Sequence, residues 1–376
     1  MLPLHRVDGP EGAPVLVLAN SLGTSWAMWD PQMPTLASRF RVVRYEHRGH
    51  GGTPAPPGPY RIEQLGGDVL ELLDALGAEA ASVCGVSLGG MVAMWLAAHA
   101  PERIDRLVLA STAAELPPPG QWIERAATVR ASGPSVLLDG LMGRWFTAGL
   151  VDRRPEVRRL VADMLGQAEA EGYAGCCEAI AAMDQRDDLG AIRAPTLVIA
   201  GADDPVTPPS IALAVQAGIP GAALVVLAGA AHLANIEQPE RFSAAVVEHL
   251  AGDAAERGRR VRAEVLGPAH VERSEAARTA FTAPFQDLIT RYAWGEIWTR
   301  PGLERSTRSC ITLAMLVALG RFEELALHVR GARRNGLTPD QIGEVLLQTA
   351  IYCGAPAANK AFAVARQVLD AYDPGE

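Results

Sequence analysis

The chain of 376 residues is poor in aromatic side chains, at 5%, and its five cysteines, Cys84, Cys176, Cys177, Cys310 and Cys353, form no C-x-x-C pair and no even framework. That usage excludes a disulfide scaffold and a dithiol redox motif, and implies a reducing, cytoplasmic setting. Long apolar runs are also missing: none approaches the roughly 20 residues of a membrane span. His5, Arg6, Asp8 and Glu11 among prolines do not make a signal peptide. Excess positive charge is absent, since the net charge is −9 and the pI about 5.5. This disfavours nucleic acid and requires any anionic substrate to be drawn in by local cations, not by the overall field. No repeat of fixed period and no low-complexity tract is present. What is there is 49% hydrophobic and 20% charged, in a chain long enough for more than one core, so two domains are expected.

Apolar strand-like runs recur at residues 15–18, 41–45, 82–86, 106–110, 196–200 and 223–227, with helical patterns at 62–76, 90–99, 210–216 and 239–250 between several of them. Strands alternating with helices predict an α/β fold with a mostly parallel sheet covered on both faces. The alternation stops over residues 111–194, where helix-like segments carry Trp122, Trp145, Phe146 and many arginines; this interval reads as a helical cap over the sheet. After Leu250 the texture turns polar, and residues 251–261 read as a linker between a domain of residues 1–250 and a second of residues 262–376. The second domain reads as all helical, with patterns at 274–294, 305–319, 322–335, 339–353 and 357–371, and Thr338-Pro339-Asp340-Gln341 has the cap and first turn of a helix start.

Gly85-Val86-Ser87-Leu88-Gly89 is the most specific chemical signal. A G-x-S-x-G run between an apolar strand and a helix exposes its serine on a sharp turn, where the hydroxyl can act as a nucleophile. Such a serine needs a base, and the base an orienting carboxylate, following in the order Ser, Asp, His. Asp203 and Asp204 directly follow the 196–200 run, and His232 directly follows the next one. Asp204 is preferred to Asp203 as the fourth residue of a G-x-x-D-x-x-T-P run. Taken singly, Asp204 reads as a turn-forming Asp-Pro and His232 as a packed loop histidine; the order, and the placement of each at a strand end, favour chemistry. The oxyanion donors expected are the backbone amides of Leu88 and of Leu22, in the loop Asn20-Ser21-Leu22-Gly23-Thr24. His47-Arg48-Gly49-His50-Gly51 reads as a shaped loop, not a metal site.

On these residues, 1 to about 250 resemble an α/β-hydrolase. Asn20-Ser21-Leu22-Gly23-Thr24, Met28-Trp29-Asp30 and Ala231-His232-Leu233-Ala234-Asn235-Ile236-Glu237-Gln238-Pro239 resemble the 3-oxoadipate enol-lactonase branch in particular. The resemblance implies hydrolysis of an enol-lactone through Ser87, His232 and Asp204. The substrate's side-chain carboxylate then needs a cation, and Arg144 beside Trp145 in the cap is the candidate; an exposed arginine on a solvated face is the other reading of that residue.

In the second domain, Glu324 and His328 fall four apart on one helical face, close enough to tune one another, although a solvated face explains the same spacing. Glu296 lies among Tyr292, Trp294 and Trp298, a setting that would raise a carboxyl toward general-acid work. Cys353 reads as core. His270-Val271-Glu272-Arg273-Ser274, residues 292–301, Arg308-Ser309-Cys310-Ile311-Thr312-Leu313, the helix of Glu324 and His328, and Tyr352-Cys353-Gly354-Ala355-Pro356-Ala357-Ala358-Asn359 resemble a 4-carboxymuconolactone decarboxylase. Related alkylhydroperoxidase D-type proteins carry a C-x-x-C where this chain has Arg321 and Glu324, so thiol peroxidase chemistry is unsupported. The resemblance implies cofactor-free, metal-free loss of carbon dioxide, with His328 as proton partner, Glu324 as its tuner, Glu296 as a second acid and Arg308 as carboxylate anchor. It also implies homo-oligomers formed through this domain. The two resemblances are to consecutive steps of 3-oxoadipate formation, with small lactone carboxylates as substrates. The rivals are an esterase or lactonase of other specificity fused to a non-catalytic oligomerisation domain, and a C-terminal redox module.

Overall fold

A computed structural model of the chain describes residues 1–252, 254–300 and 302–372. Two compact units divide it, Met1–Leu250 and Ala251–Glu376. The first is built on a seven-stranded sheet, in the order β1-β3-β2-β4-β5-β6-β7. Its strands are β1 (His5–Asp8), β2 (Val15–Ala19), β3 (Arg41–Tyr45), β4 (Ala81–Val86), β5 (Ile104–Ala110), β6 (Thr196–Gly201) and β7 (Ala223–Leu227). All neighbours pair in parallel except β1 with β3. The central β4 is buried along its whole length, which is why small and branched residues fill both of its faces. β1, with the sequence His-Arg-Val-Asp, has no apolar signature and was not expected; an edge strand needs one paired side only, and Arg44 of β3 reaches Asp8 at 2.9 Å to hold its end.

Helices Ile62–Ala75, Leu88–His99, Pro209–Gly218 and Pro239–Ala251 cover the sheet. Between β5 and β6 come the cap helices Pro119–Ser132, Leu138–Trp145, Leu150–Arg153, Glu156–Gly166 and Ala170–Ala182, with a single isolated bridge, Glu115 to Asp184, and no strand among the described residues of that interval.

The second unit is helical. Residues 254–261, expected as linker, instead form the first turns of the helix Ala254–Leu266, which buries Gly258, Val261 and Val265; Asp253 lies outside the described residues. The single helix expected over 274–294 is broken. Pro268–Ala276 ends before a turn in which Thr279 and Thr282 bond each other, Ala283–Ile289 restarts at a proline-bearing first turn, and Thr290–Ile297 continues as a π-helix. The π-helical turns lie at a backbone-to-backbone crossing. A Cβ on Gly258 would lie 1.9 Å from the Thr290 carbonyl oxygen, and one on Gly295 would lie 1.8 Å from that of Ala254. Helices Arg305–Ala318, Phe322–Arg334, Pro339–Cys353 and Ala355–Asp370 close around Leu313, Leu325, Val329 and Leu346. Thr338 caps Pro339–Cys353 reciprocally with Gln341.

Candidate active sites

The parallel strands of the first unit finish together. Ala19 stands opposite Gly85, Val86 opposite Ala110, Ala110 opposite Ile199 and Gly201 opposite Leu227, so the loops leaving β2, β4, β5, β6 and β7 open on one edge, where open sheets gather ligands. Ser87 is the first residue past β4 and holds φ 56°, ψ −115°, a left-handed turn that a serine adopts only under constraint. The constraint is visible in its glycines. A Cβ on Gly85 would meet the Gly89 carbonyl oxygen at 2.2 Å, one on Gly89 the Ala19 carbonyl oxygen at 2.1 Å, and one on Gly90 the Thr112 side chain at 2.6 Å. The Ser87 amide donates to Ala110, and the Thr112 hydroxyl donates to the Ser87 carbonyl at 2.8 Å, pinning the turn from β5.

Asp204 and His232 meet at 2.8 Å through Oδ2 and Nδ1, both buried. The other carboxylate bonds come from its own loop: the Thr207 hydroxyl donates to Oδ2 at 2.7 Å, while the Val206 and Thr207 amides donate to Oδ1 at 2.8 and 3.0 Å. Burial works to raise this carboxyl, yet the bonds and charge from His232, with Thr207 in support, hold it below the usual carboxylate value. An ionised Asp204 on Nδ1 fixes the tautomer that leaves Nε2 unprotonated, able to take a hydroxyl proton. Among the described residues Nε2 and the Ser87 hydroxyl carry no hydrogen bond, as is common before substrate draws such groups together. Asp203 is exposed, and among the described residues its one hydrogen bond is from its backbone amide to Ala230.

In the loop after β2, the amides of Ser21, Gly23 and Thr24 are engaged by Met28, His50 and the Ser21 carbonyl. The Leu22 amide has no such partner among the described residues. Neither has that of Leu88, the first residue of its helix, where no intrahelical acceptor exists. His50 accepts from Gly23 through Nε2 at 3.1 Å and bonds the Arg48 carbonyl through Nδ1, and His47 bonds the Asn20 carbonyl, so both imidazoles shape loops. Burial drives each of them down to about 4, keeping them neutral. Under this loop lies Glu46, fully buried, accepting from the Trp26 amide and from Asn20, whose own oxygen accepts from Trp29. Burial pushes Glu46 up to about 7, against the pull of those bonds and of Arg44 and Arg6.

In the second unit the Trp294 and Trp298 rings stack 5.1 Å apart, and Trp294 lies parallel to His328 at 6.5 Å. His328 is held below the ordinary histidine value first by burial, then by the charge of His270, with Glu324 opposing. His270 is lowered in turn by burial and by Arg262, Arg273 and Arg334. Arg262 is buried and lowered by that burial, with Nη1 donating to Gln286 and Nε unpaired.

Residues 14–139 and 146–239 match the family described as alpha/beta hydrolase fold, and residues 283–367 match the Carboxymuconolactone decarboxylase family. The chain is 43% identical over 242 residues to 3-oxoadipate enol-lactonase 2 of Acinetobacter baylyi, covering 64% of this chain and 90% of that protein. It is 48% identical over 112 residues to 4-carboxymuconolactone decarboxylase of the same organism, covering 30% of this chain and 84% of that protein. The chain belongs to both families. Among solved structures it is similar to the enol-lactonase from Burkholderia xenovorans, with 43% identity, a TM-score of 0.64, and coverage of 66% of this chain and 95% of that one.

In the hydrolase unit, then, Ser87, Leu22 and Leu88 lie in loops leaving the same sheet edge as those of Asp204 and His232, and Asp204 and His232 are hydrogen-bonded. The motif around His232 is explained by Glu237, which accepts from the Ala231 amide at 2.8 Å and from the amide and hydroxyl of Thr147 in the cap, and by Asn235, which donates to Met28. Trp145 is buried, and its carbonyl accepts from the Leu233 amide at 3.0 Å. Arg144 is exposed, with Nε on the Gly140 carbonyl of its own helix.

In the decarboxylase-family unit one expectation changes. Glu296 is not enclosed by aromatics: it is exposed and ion-paired with Arg257 at 3.0 Å, because the π-helical turns put Trp294 and Trp298 together on another face. Glu324 is exposed and has no hydrogen bond to His328 among the described residues, acting on it through charge alone. Arg308 donates to the Arg300 carbonyl at 2.8 Å; Pro301, within the matched run, lies outside the described residues. His270 and Arg262 went unassigned in the sequence, since only the fold brings His270 to His328 and Arg262 to His270. His270 stood in a matched motif, which was the one available signal. Among the described residues no group of three or more metal-ligating side chains is assembled, and no helix is long and apolar enough to cross a membrane.

Proposed function

We propose that the chain catalyses two consecutive reactions: decarboxylation of 4-carboxymuconolactone to 3-oxoadipate enol-lactone, then hydrolysis of that lactone to 3-oxoadipate. The observation that carries this reading is the union in one chain of relatives named for a reaction that makes an enol-lactone and for one that opens it. In the first step carbon dioxide leaves and the unsaturated lactone accepts the electron pair, which is returned to a proton at carbon. His328 is the proton partner; burial and the charge of His270 favour its neutral form, and the charge of Glu324 opposes them. Arg262, Arg273 and Arg334, whose fields converge on His270, supply positive charge for the substrate carboxylates, with Arg308 a further anchor. In the second step His232 takes the Ser87 proton, Ser87 attacks the lactone carbonyl, and the amides of Leu22 and Leu88 hold the oxyanion. The expelled enol becomes a ketone, which draws hydrolysis forward, and water releases the acyl group. Exposed apolar side chains on the second unit, among them Phe281 at 93%, Ile351 at 81% and Tyr352 at 79%, support its association with further copies of itself. The cysteine usage and charge balance support a cytoplasmic setting.

The test supplies 4-carboxymuconolactone to the purified protein and follows carbon dioxide and 3-oxoadipate. The parent is expected to give both, and Ser87→Ala to release carbon dioxide while enol-lactone accumulates. If neither protein releases carbon dioxide, the reading fails for the second unit, and an esterase joined to a passive helical module takes its place.

A further inference from the structure

His232 is strung between two ties to the cap. The residue after it, Leu233, donates its amide to the Trp145 carbonyl at 3.0 Å. The residue before it, Ala231, donates its amide to Glu237 Oε2 at 2.8 Å. The other oxygen of that carboxylate, Oε1, accepts from the Thr147 amide at 3.1 Å and from the Thr147 hydroxyl. Both ties therefore end within residues 145–147, where the cap helix Leu138–Trp145 stops. Glu237 is 8% exposed, so these bonds are made largely out of water. The Arg154 guanidinium adds a third tie from the cap, Nη1 donating to the Ile236 carbonyl at 2.8 Å.

Ala231 is fixed from the sheet as well. A Cβ on Gly201 would lie 2.2 Å from the Ala231 carbonyl oxygen, so that carbonyl rests on the end of β6, the strand that leads to Asp204. With its carbonyl against β6 and its amide on Glu237, Ala231 sets where the His232 backbone starts. Displacing a reacting group by about 1 Å can cost about a hundredfold in rate, so that starting point matters to a base. The donors around Glu237 also require a carboxylate. Two of the three are backbone amides, which only donate; a glutamine would turn its NH2 toward one of them and give up either the base side or the cap side. We propose that Glu237 is a positioning residue for His232, coupling the placement of the cap to that of the base, so that His232 is aligned with Ser87 only while residues 145–147 are seated on its loop. This rests on the reading of Ser87, His232 and Asp204 as a hydrolytic triad, and not on the identity of the lactone.

The experiment uses the full chain, p-nitrophenyl acetate as substrate, and paraoxon as a probe that phosphorylates the Ser87 hydroxyl with loss of p-nitrophenolate. The fraction of Ser87 labelled at completion counts competent sites, and kcat and the labelling rate are expressed per competent site. Glu237→Gln should lower both by about ten- to a hundredfold, with KM within about twofold of the parent. Thr147→Val, which removes the hydroxyl bond alone, should lower them about fivefold. The double variant should be no slower than E237Q, since both changes cut the same link. A merely structural Glu237 would reduce the labelled fraction and the melting temperature and leave kcat and labelling rate per site at the parent's values; that result overturns the inference. So does a double variant whose loss is the product of the single ones, because Thr147 would then act apart from Glu237. If E237Q does not fold, T147V still decides, since a per-site kcat equal to the parent's overturns the coupling. A parent that neither hydrolyses the ester nor takes up the label removes the triad reading, and this role with it, whereas an active, labelled parent with an indifferent E237Q removes the role of Glu237 alone.

Discussion

Glu46 makes a stability prediction with a definite sign. In an unfolded chain its carboxyl would lose its proton near the ordinary value of 4.5, but in the folded protein burial raises it to about 7. Between those values the folded state keeps a proton that the unfolded state has released, so stability falls as pH rises through the window and levels off above it. The difference of about 2.5 in pKa, at about 1.36 kcal/mol each, comes to about 3 kcal/mol, of which about 2.5 kcal/mol is lost between pH 5 and pH 8. His47 and His50 work the other way. Each is lowered to about 4, so the unfolded chain binds protons that the folded one refuses, and stability rises with pH up to the ordinary value of 6.5. The raw profile is therefore a sum of opposed slopes, and the informative quantity is a difference. Glu46→Gln keeps an acceptor for the Trp26 amide at 2.9 Å, replaces the oxygen that accepts from Asn20 with a donor at a cost that does not vary with pH, and removes the titration. Urea denaturation, read by loss of p-nitrophenyl acetate hydrolysis so that it reports the first unit, should show the variant gaining about 2.5 kcal/mol on the parent between pH 5 and pH 8. That is a relative midpoint shift of about 1 M for a slope of about 2 kcal/mol per M. A difference independent of pH would refute the claim that Glu46 is neutral in the folded protein at pH 5.

Three further outcomes are expected. Asp204→Asn should leave the fold intact and cut enol-lactone hydrolysis by about a thousandfold or more, since the imidazole loses its orienting charge and settles in the wrong tautomer; steady-state kinetics decides. His328→Ala should abolish carbon dioxide release while added enol-lactone is still hydrolysed, because His328 belongs to the other unit; manometry and lactone absorbance read the two steps separately. Gly295→Ala should destabilise the second unit by at least about 1–3 kcal/mol, as its methyl would land 1.8 Å from the Ala254 carbonyl oxygen; calorimetry showing an unmoved transition would refute the close crossing.

The first unit was readable where periodicity and order carry the information. Ser87, Asp204 and His232 could be placed because a parallel sheet puts successive strand ends on one edge, so chain order becomes spatial order. β1 escaped because an edge strand of His5, Arg6, Val7 and Asp8 is held by backbone pairing, not by apolar alternation. In the second unit the helices were legible, but not the break near Ala276 or the π-helical turns. The π-helical turns lie where Gly258 and Gly295 meet across two helices, a contact between positions 37 apart that no local window contains. Glu296 is at the surface, and His328 has the imidazole of His270 as its neighbour, which in turn lies in the field of three arginines.

The backbone at Ser87 has a cost that the rest of the fold must carry. A non-glycine residue held at φ 56°, ψ −115° gives up about 1–3 kcal/mol that a glycine would not. Ser87→Gly should therefore melt at a higher temperature than the parent while hydrolysing nothing. The sequence at this position is kept from its thermodynamic optimum only as long as hydrolysis is required of it. In a copy of the chain relieved of that requirement, drift toward glycine at 87 would be rewarded by stability alone, so the identity of this one residue reports whether the hydrolase unit is still in use.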